Sequence, residues 1–578
     1  MMNIPRPEYP RPQMTRERWL NLNGPWQFDY DPGCSGVERG LPRAERLSRE
    51  ILVPFCPESV LSGLGDVDFH PGVWYRRDVQ IPSEWEGARI LLHCGAVDHD
   101  AQVFVNGAPT GAHHGGYTPF TCDVTAQLVR GQNSLAIYAR DDNRAPVQAT
   151  GKQSRRYHSH GCDYTRTTGI WQTVWLEPVP RTYIGNLRIT PDLPGGSVTI
   201  EALVAGDCAR GTFEACASLA NKPVGAASAH FLGQRAVITL PLTDIESWSP
   251  QQPTLYDLEL TLTAENGSRD RVQSYFGLRS VALTDRAILL NGQPVFQRLV
   301  LDQGFYPDGI YTAPTDEALR HDIELSQALG FNGARLHMKV FDPRFHYWAD
   351  RMGYLVWGEF PSWGLDLSYS EALAEMLPQW LEAVRRDYSH PSVVGWCPFN
   401  ETSTDQDPRT VGTVYRVTKQ LDLTRPVIDT SGYVHVETDI YDSHNYDQNP
   451  ETFAAAFAAL AQGGEPFRNF PHHDAPYAGQ PYFVSEYGGI WWNPGQQEDK
   501  SWGYGGVNGR PRTVEDFYAR YRALTTTLLR HPRMCAFCYT QLTDVEQEVN
   551  GLYTYARGQK FEAQRIREIN TQKAVIEE

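Results

Sequence analysis

A chain of 578 residues, 41% hydrophobic and 21% charged, has ample material for large cores and room for roughly three or four domains of ~150 residues, fewer if one is a barrel. Its formal charge of −17 argues against a nucleic-acid or anionic-membrane partner, and no apolar run reaches the ~18 residues of a membrane span. Ten cysteines without framework spacing, and residues 1–18 with no apolar signal core, point to reduced thiols and a cytoplasmic address.

Residues 1–181 read as a jelly-roll-like β-sandwich. Runs of strand character recur at 19–30, 73–79, 89–94, 101–107, 134–139 and 172–176. The first resembles an edge strand, and the fourth ends in Asn106-Gly107, the strongest short hairpin signal. Such sandwiches often bind sugars, though a fold alone assigns no function. The polar stretch 157–166 is long for a loop inside a compact unit, and loops of that kind tend to be functional. It holds His158, His160 and Cys162, but without the ligand spacing of a structural zinc site.

Residues 182–281 continue with short strands and Gly/Asn turns, the pattern of a seven-stranded immunoglobulin-like sandwich. Cys208 and Cys216 are too close in sequence for the usual inter-sheet bridge, and no chemistry is legible here. A brace or spacer is the expected role.

From 282 to 578 strands alternate with helices. Strands are predicted at 295–301, 334–338, 354–359, 393–399, 426–430, 439–444, 481–486 and 534–542, and helices at 315–329, 343–352, 370–388, 410–421, 451–461 and 513–529. Thr315 and Pro343 are helix-start signals. Eight such units make an (α/β)8 TIM barrel, whose active site lies at the C-terminal ends of its strands. Cys535-x-x-Cys538 falls in the last strand, where positions i and i+3 face opposite ways, which speaks against a redox pair.

Two of these strands deliver a glutamate, Glu401 after strand four and Glu486 at the end of strand seven. A carboxylate ending a buried strand is costly unless it does a job, and two of them suggest a catalytic pair. Asp302, His337, Glu359, His444 and Tyr539 sit at other strand ends. Trp491, Trp492 and Trp502 follow strand seven in a Gly-rich stretch, and Trp502 is the candidate for stacking on a sugar face.

These motifs resemble glycoside hydrolase family 2, the β-galactosidase and β-glucuronidase family, over nearly the whole chain. Leu22-Asn23-Gly24-Pro25-Trp26-Gln27-Phe28 is similar to its N-terminal signature. Tyr275-Phe276-Gly277-Leu278-Arg279 and Leu290-Asn291-Gly292 resemble the junction into its barrel. His390-Pro391-Ser392-Val393-Val394-Gly395-Trp396 with Asn400-Glu401 resembles the acid/base motif, and Ser485-Glu486-Tyr487-Gly488 the nucleophile motif. The resemblance implies further site residues. Asp163 would reach from the first domain into the barrel mouth, Asn400 would bond the sugar 2-hydroxyl, and His337 would line the sugar subsite. His444 and Tyr446 would lie near the nucleophile. Where the family commonly has a Trp in strand eight, this chain has Phe537, Cys538 and Tyr539.

The implied activity is a retaining exo-β-glycosidase working by double displacement on an oligosaccharide or glycoside. No cofactor is required; family β-galactosidases often use Mg²⁺, but its ligands are not legible here. A homo-oligomer is open. A pure carbohydrate-binding protein would need one glutamate missing, and both are present. Glucuronidases of the family carry an Asn-x-Lys motif after strand eight. Here residues 542–553 lack it and hold Asp544, Glu546 and Glu548 instead. Carboxylates there would repel an anionic sugar, so a neutral glycone is expected, β-galactoside first. Arg510 or Arg512 could still reach a carboxylate, which keeps β-glucuronidase as the alternative.

Overall fold

The computed structural model describes residues 4–493, 501–506 and 509–578. Three bodies follow one another, as the sequence predicts: a β-sandwich, an immunoglobulin-like sandwich and a parallel barrel.

The first sandwich packs a six-stranded sheet on a four-stranded one around Trp26, Phe28, Tyr75, Leu92 and Ile137. Asn106 and Gly107 have φ of 51° and 76° and join Asp100–Val105 to Ala108–His114, the hairpin expected of an Asn-Gly turn. Gly24–Tyr30 is not an edge strand: it lies between Arg49–Val53 and Gly72–Gln80. The strands Arg49–Val53, Ala108–His114 and Phe120–Asp123 were not anticipated. The second body has seven strands from Thr182–Asp192 to Arg269–Phe276, in sheets of three and four.

In the barrel, parallel strands run in spatial order four, three, two, one, eight, seven, six. They are Val393–Cys397, Leu355–Glu359, Gly333–Leu336, Gln297–Asp302, Met534–Thr540, Tyr482–Gly488 and Tyr441–Asn445. Pro398 has no N–H to give the ladder and breaks strand four, which resumes as Phe399–Thr402 and there pairs with strand five, Thr430–Tyr433. Strand five was expected at 426–430, but Val427 makes only an isolated bridge to Trp396. All six predicted helices form; Thr315 caps Asp316–Ala328 and Asp342 caps Pro343–Met352. A seventh, Ala563–Asn570, was missed. Alternation sorts each strand: Leu299, Leu301, Trp357, Phe483 and Cys538 fill the barrel interior, while Val300, Val484 and Tyr539 face the helices.

The family-like motifs at the junction are structural. Arg279 donates to the carbonyls of Pro391 and Val393, and Asp350 ties together Tyr275, His390 and Ser392, so the second sandwich is bolted to the start of strand four.

The first sandwich grips the barrel helix Glu371–Asp387 through a ring of four charged groups. His114 lies between Asp100 (2.5 Å) and Glu375 (2.7 Å), and buried His99 is 3.2 Å from Glu375. Hydrogen bonds to Asp100 and Glu375 raise His114 to about 9. Burial alone would lower His99, but the same two carboxylates raise it to about 10. Burial opposes ionisation of Glu375, yet the two imidazoles hold it at about 2. Raised histidines stabilise fully below their unfolded pKa of ~6.5, and that contribution is lost as pH climbs through 9 to 10. The lowered carboxylate stabilises above its unfolded value of ~4.3 and loses its effect as pH falls toward 2. Thermal stability should therefore plateau near pH 4.5–6.5 and fall toward pH 10, with half-exposed His114 contributing less than its shift suggests. Thermal melts of the His99→Gln, His114→Gln double variant should show a flatter alkaline limb; an unchanged limb would rule the ring out as its source.

Candidate active site

Strict alternation from Phe483 would turn Glu486 away from the barrel axis. Register shifts on both sides of strand seven, between Ser443 and His444 and between Val484 and Tyr487, re-aim it inward. Glu401 is placed differently: its φ is 48°, a left-handed backbone that costs on the order of 1–3 kcal/mol for a non-glycine residue. The outcome is convergence. Carboxylate oxygens of Glu401 and Glu486 and a ring nitrogen of His444 lie within 4.8 Å of one another.

His444 Nδ1 is 2.8 Å from Glu401 Oε1, and its Nε2 is 2.9 Å from Ser431 Oγ and 3.5 Å from Glu486 Oε1. Glu486 also accepts from Arg335 Nη1 at 3.2 Å and from the Tyr446 hydroxyl. Burial pushes Glu486 up, but the charges of His444 and Arg335 and the Tyr446 hydrogen bond outweigh it and hold Glu486 at about 2. Burial likewise lowers His444, while Glu486 and Glu401 more than compensate and raise it. The site thus holds an ionised Glu486 under a cationic lattice, and Glu401 shares its imidazole.

The other predicted residues divide. His337 comes in, with Nδ1 3.0 Å from Glu359 and 3.1 Å from Arg335; burial and the nearby positive charges lower its pKa, so it is neutral. Asn400 is held by Arg335 at its Oδ1 (3.0 Å), and its buried Nδ2 has no partner among the described residues, a donor left for a ligand. Asp163 sits on the rim, 3.5 Å from His160 Nε2. The Trp502 indole N–H donates to the Gly161 carbonyl, so Trp502 joins the barrel to the first sandwich. Two strand-end residues are corrections. Tyr539 faces outward and packs edge-on against Tyr487 at 5.5 Å and tilted against Tyr521 at 4.8 Å, while its neighbour Thr540 reaches Tyr446 at 3.1 Å. Asp302 shares the helix-facing side of Val300 and accepts from the Gly304 N–H at 2.9 Å; burial and nearby Asp322 raise it to about 7.

Several functional groups escaped sequence reasoning. Arg335, fully buried, binds Glu359, Glu486, Asn400 and the Ser485 carbonyl. A charged residue at an interior position of strand two was its available signal. The first sandwich also roofs the site. Tyr164 donates to Glu548 (2.6 Å), the Thr165 N–H to Glu546 (3.0 Å), and Gln547 to the carbonyls of Gly161 (2.8 Å) and Asp163 (3.0 Å). Beneath this roof Lys152 lies over the Trp363 ring at 3.7 Å, and the Trp363 indole donates to the Asn400 carbonyl at 3.1 Å.

Glu401, His444 and Glu486 are spaced to hold a cation, as are His99, Asp100 and His114. A donor set containing imidazole is not the all-oxygen set magnesium favours.

Three family models match the chain in succession. They are the sugar binding domain of the glycosyl hydrolases family 2 at residues 66–180, the glycosyl hydrolases family 2 model at 182–279, and the family's TIM barrel domain at 281–502. The chain belongs to glycoside hydrolase family 2. This family 2 hydrolase is 26% identical over 438 residues to a β-glucuronidase of Paenibacillus borealis, covering 69% of this chain and 70% of that one. It is 26% identical over 409 residues to a β-galactosidase of Thermoanaerobacter pseudethanolicus, covering 67% and 52%. Its fold matches the Ruminococcus gnavus β-glucuronidase solved with an N1-substituted uronic isofagomine, with a TM-score of 0.77 at 18% identity over 98% and 100% of the two chains.

Proposed function

We propose that this family 2 enzyme is a retaining, exo-acting β-glycosidase that removes terminal uronic acid residues, β-glucuronides first among them. One observation carries the retaining mechanism: the two glutamates approach within 4.8 Å, the short spacing of retaining enzymes rather than the ~6.5–9.5 Å that leaves room for an inverting water. Glu486 attacks the anomeric carbon as Glu401 gives its proton to the departing glycosidic oxygen. The C–O bond breaks and a glycosyl ester of Glu486 remains. Glu401 then takes a proton from water, whose oxygen displaces Glu486 and frees the sugar. The Asn400 amide supplies a hydrogen bond to the glycone. Proton NMR should detect the β-anomer as the first product; an α-anomer formed first would sink the mechanism.

The acidic sugar rests on two supports. β-Glucuronidases recur among the relatives and solved structures. The repulsion expected from the loop after strand eight is also largely cancelled. Asp544 is paired with Lys560 at 2.7 Å, Glu546 accepts from Thr165, and burial raises the pKa of Glu548, which Tyr164 and Asn550 already satisfy. This reading does not rely on Arg510, which stacks on Trp491 at 3.9 Å, or on Arg512, which is exposed. A neutral β-galactoside is the second reading, favoured by the missing Asn-x-Lys motif and the β-galactosidase relative. Paired kcat/KM values for aryl β-glucuronide and β-galactoside decide between them. A tenfold glucuronide preference, about 1.4 kcal/mol, is expected, and the reverse preference would return the assignment to a neutral sugar.

No cofactor enters these steps, so dialysis against EDTA should leave kcat/KM unchanged; a loss restored by Mg²⁺ would add a metal. Ten free cysteines support a reducing, cytoplasmic setting.

A further inference from the structure

Lys152 is 5% exposed, yet among the described residues its ammonium has no hydrogen bond and no carboxylate oxygen within 4.0 Å. Among the described residues it lies over the Trp363 ring, 3.7 Å from its centroid. Burying an unpaired ammonium is expensive, and such a group persists where a ligand completes it. Burial by itself lowers its pKa, but Cys162, Glu548, Glu401 and Glu486 surround it and raise the net value, so it stays charged in the field of the site. It is not the salt-bridge partner of Glu548, whose oxygens are taken by Tyr164 and Asn550.

The backbone is shaped to deliver it. Gly151 has φ of 57°, and a Cβ there would stand 2.5 Å from the Met338 carbonyl, so the loop presses against the top of strand two as only glycine allows. Gly151 N–H bonds to the carbonyls of Pro361 and Trp363 hold that approach. Lys152 is thereby set over Trp363, whose indole N–H donates to the carbonyl of Asn400, the residue whose side-chain amide has no partner among the described residues.

We infer that Lys152, supplied by the first sandwich, binds the carboxylate of a uronic acid glycone, taking the part for which residues 542–553 after strand eight hold no lysine. This rests on the uronide reading proposed above. The ammonium gives the carboxylate a charge-assisted hydrogen bond, the Trp363 face lies beneath, and specificity for the acid is carried by one body while the chemistry is carried by another.

The test compares kcat/KM for 4-nitrophenyl β-D-glucuronide and 4-nitrophenyl β-D-glucoside, whose glycones differ only in the carboxylate, in wild type, Lys152→Met and Lys152→Arg. Lys152→Met should reduce the glucuronide-to-glucoside ratio by thirtyfold or more, chiefly through KM for the glucuronide. Lys152→Arg, which keeps the charge and guards against a folding artefact, should recover a substantial part of that ratio. If wild type favours the glucuronide and the ratio survives in Lys152→Met, the Lys152 assignment is wrong while the uronide reading stands. If wild type itself does not favour the glucuronide, the uronide reading fails and Lys152 with it.

Discussion

Glu486→Gln is expected to stop hydrolysis of every aryl glycoside, with kcat/KM reduced by roughly 10⁴–10⁶, on the scale of losing a nucleophile elsewhere. That is about 5–8 kcal/mol of transition-state stabilisation. An amide cannot form the glycosyl ester, but its one carbonyl oxygen can still accept from Arg335 where Oε1 does, and its NH2 can donate to the Tyr446 hydroxyl that now bonds Oε2, so the barrel should fold as before. A loss below tenfold, with unchanged thermal unfolding, would remove Glu486 from the reaction. Because the native carboxyl titrates near 2, an acid limb in kcat/KM above pH 4 has to arise from another group.

Glu401→Gln should behave differently according to the leaving group. With poor leaving groups the missing proton transfer costs roughly 10²–10⁴ in rate. With an activated aryl leaving group the first step needs little acid, so the loss there is much smaller and the glycosyl ester accumulates. Azide, which needs no general base to attack that ester, should restore turnover and yield a glycosyl azide. Equal losses for all leaving groups, with no azide effect, would contradict the assignment.

The glutamate pair was legible because an apolar strand that stops at a carboxylate announces an unusual position. What fixes each carboxylate was not legible: a double register shift for Glu486 and a left-handed backbone for Glu401. The same limit explains Tyr539 and Asp302. A strand end names a neighbourhood, but a one-residue change of register sends the side chain to the other face, and Thr540, one position along, is the one near Tyr446. What answers the charge of the acidic loop was not legible either. Its charges are answered by Lys560, by Thr165 and by Tyr164, of which two belong to another body. Lys152 was invisible for that reason too, since nothing in the local sequence says that its loop descends onto Trp363. The sandwiches were easier to read, because alternation and turns are local, though Arg49–Val53, Ala108–His114 and Phe120–Asp123 were lost.

The roof joins residues made far apart in time. Tyr164 and Glu548 are separated by 384 positions, so at ~5–20 residues per second the hydroxyl waits about 20–80 s for its carboxylate. Tyr117, Tyr164 and Trp171, each no more than 1% exposed in the finished protein, belong to the same core cluster as the barrel. Throughout that interval the nascent first sandwich carries a sticky aromatic face with nothing to cover it. Yield in the cell should therefore respond to chaperone supply and to translation speed through residues 182–548, even when the finished enzyme is stable.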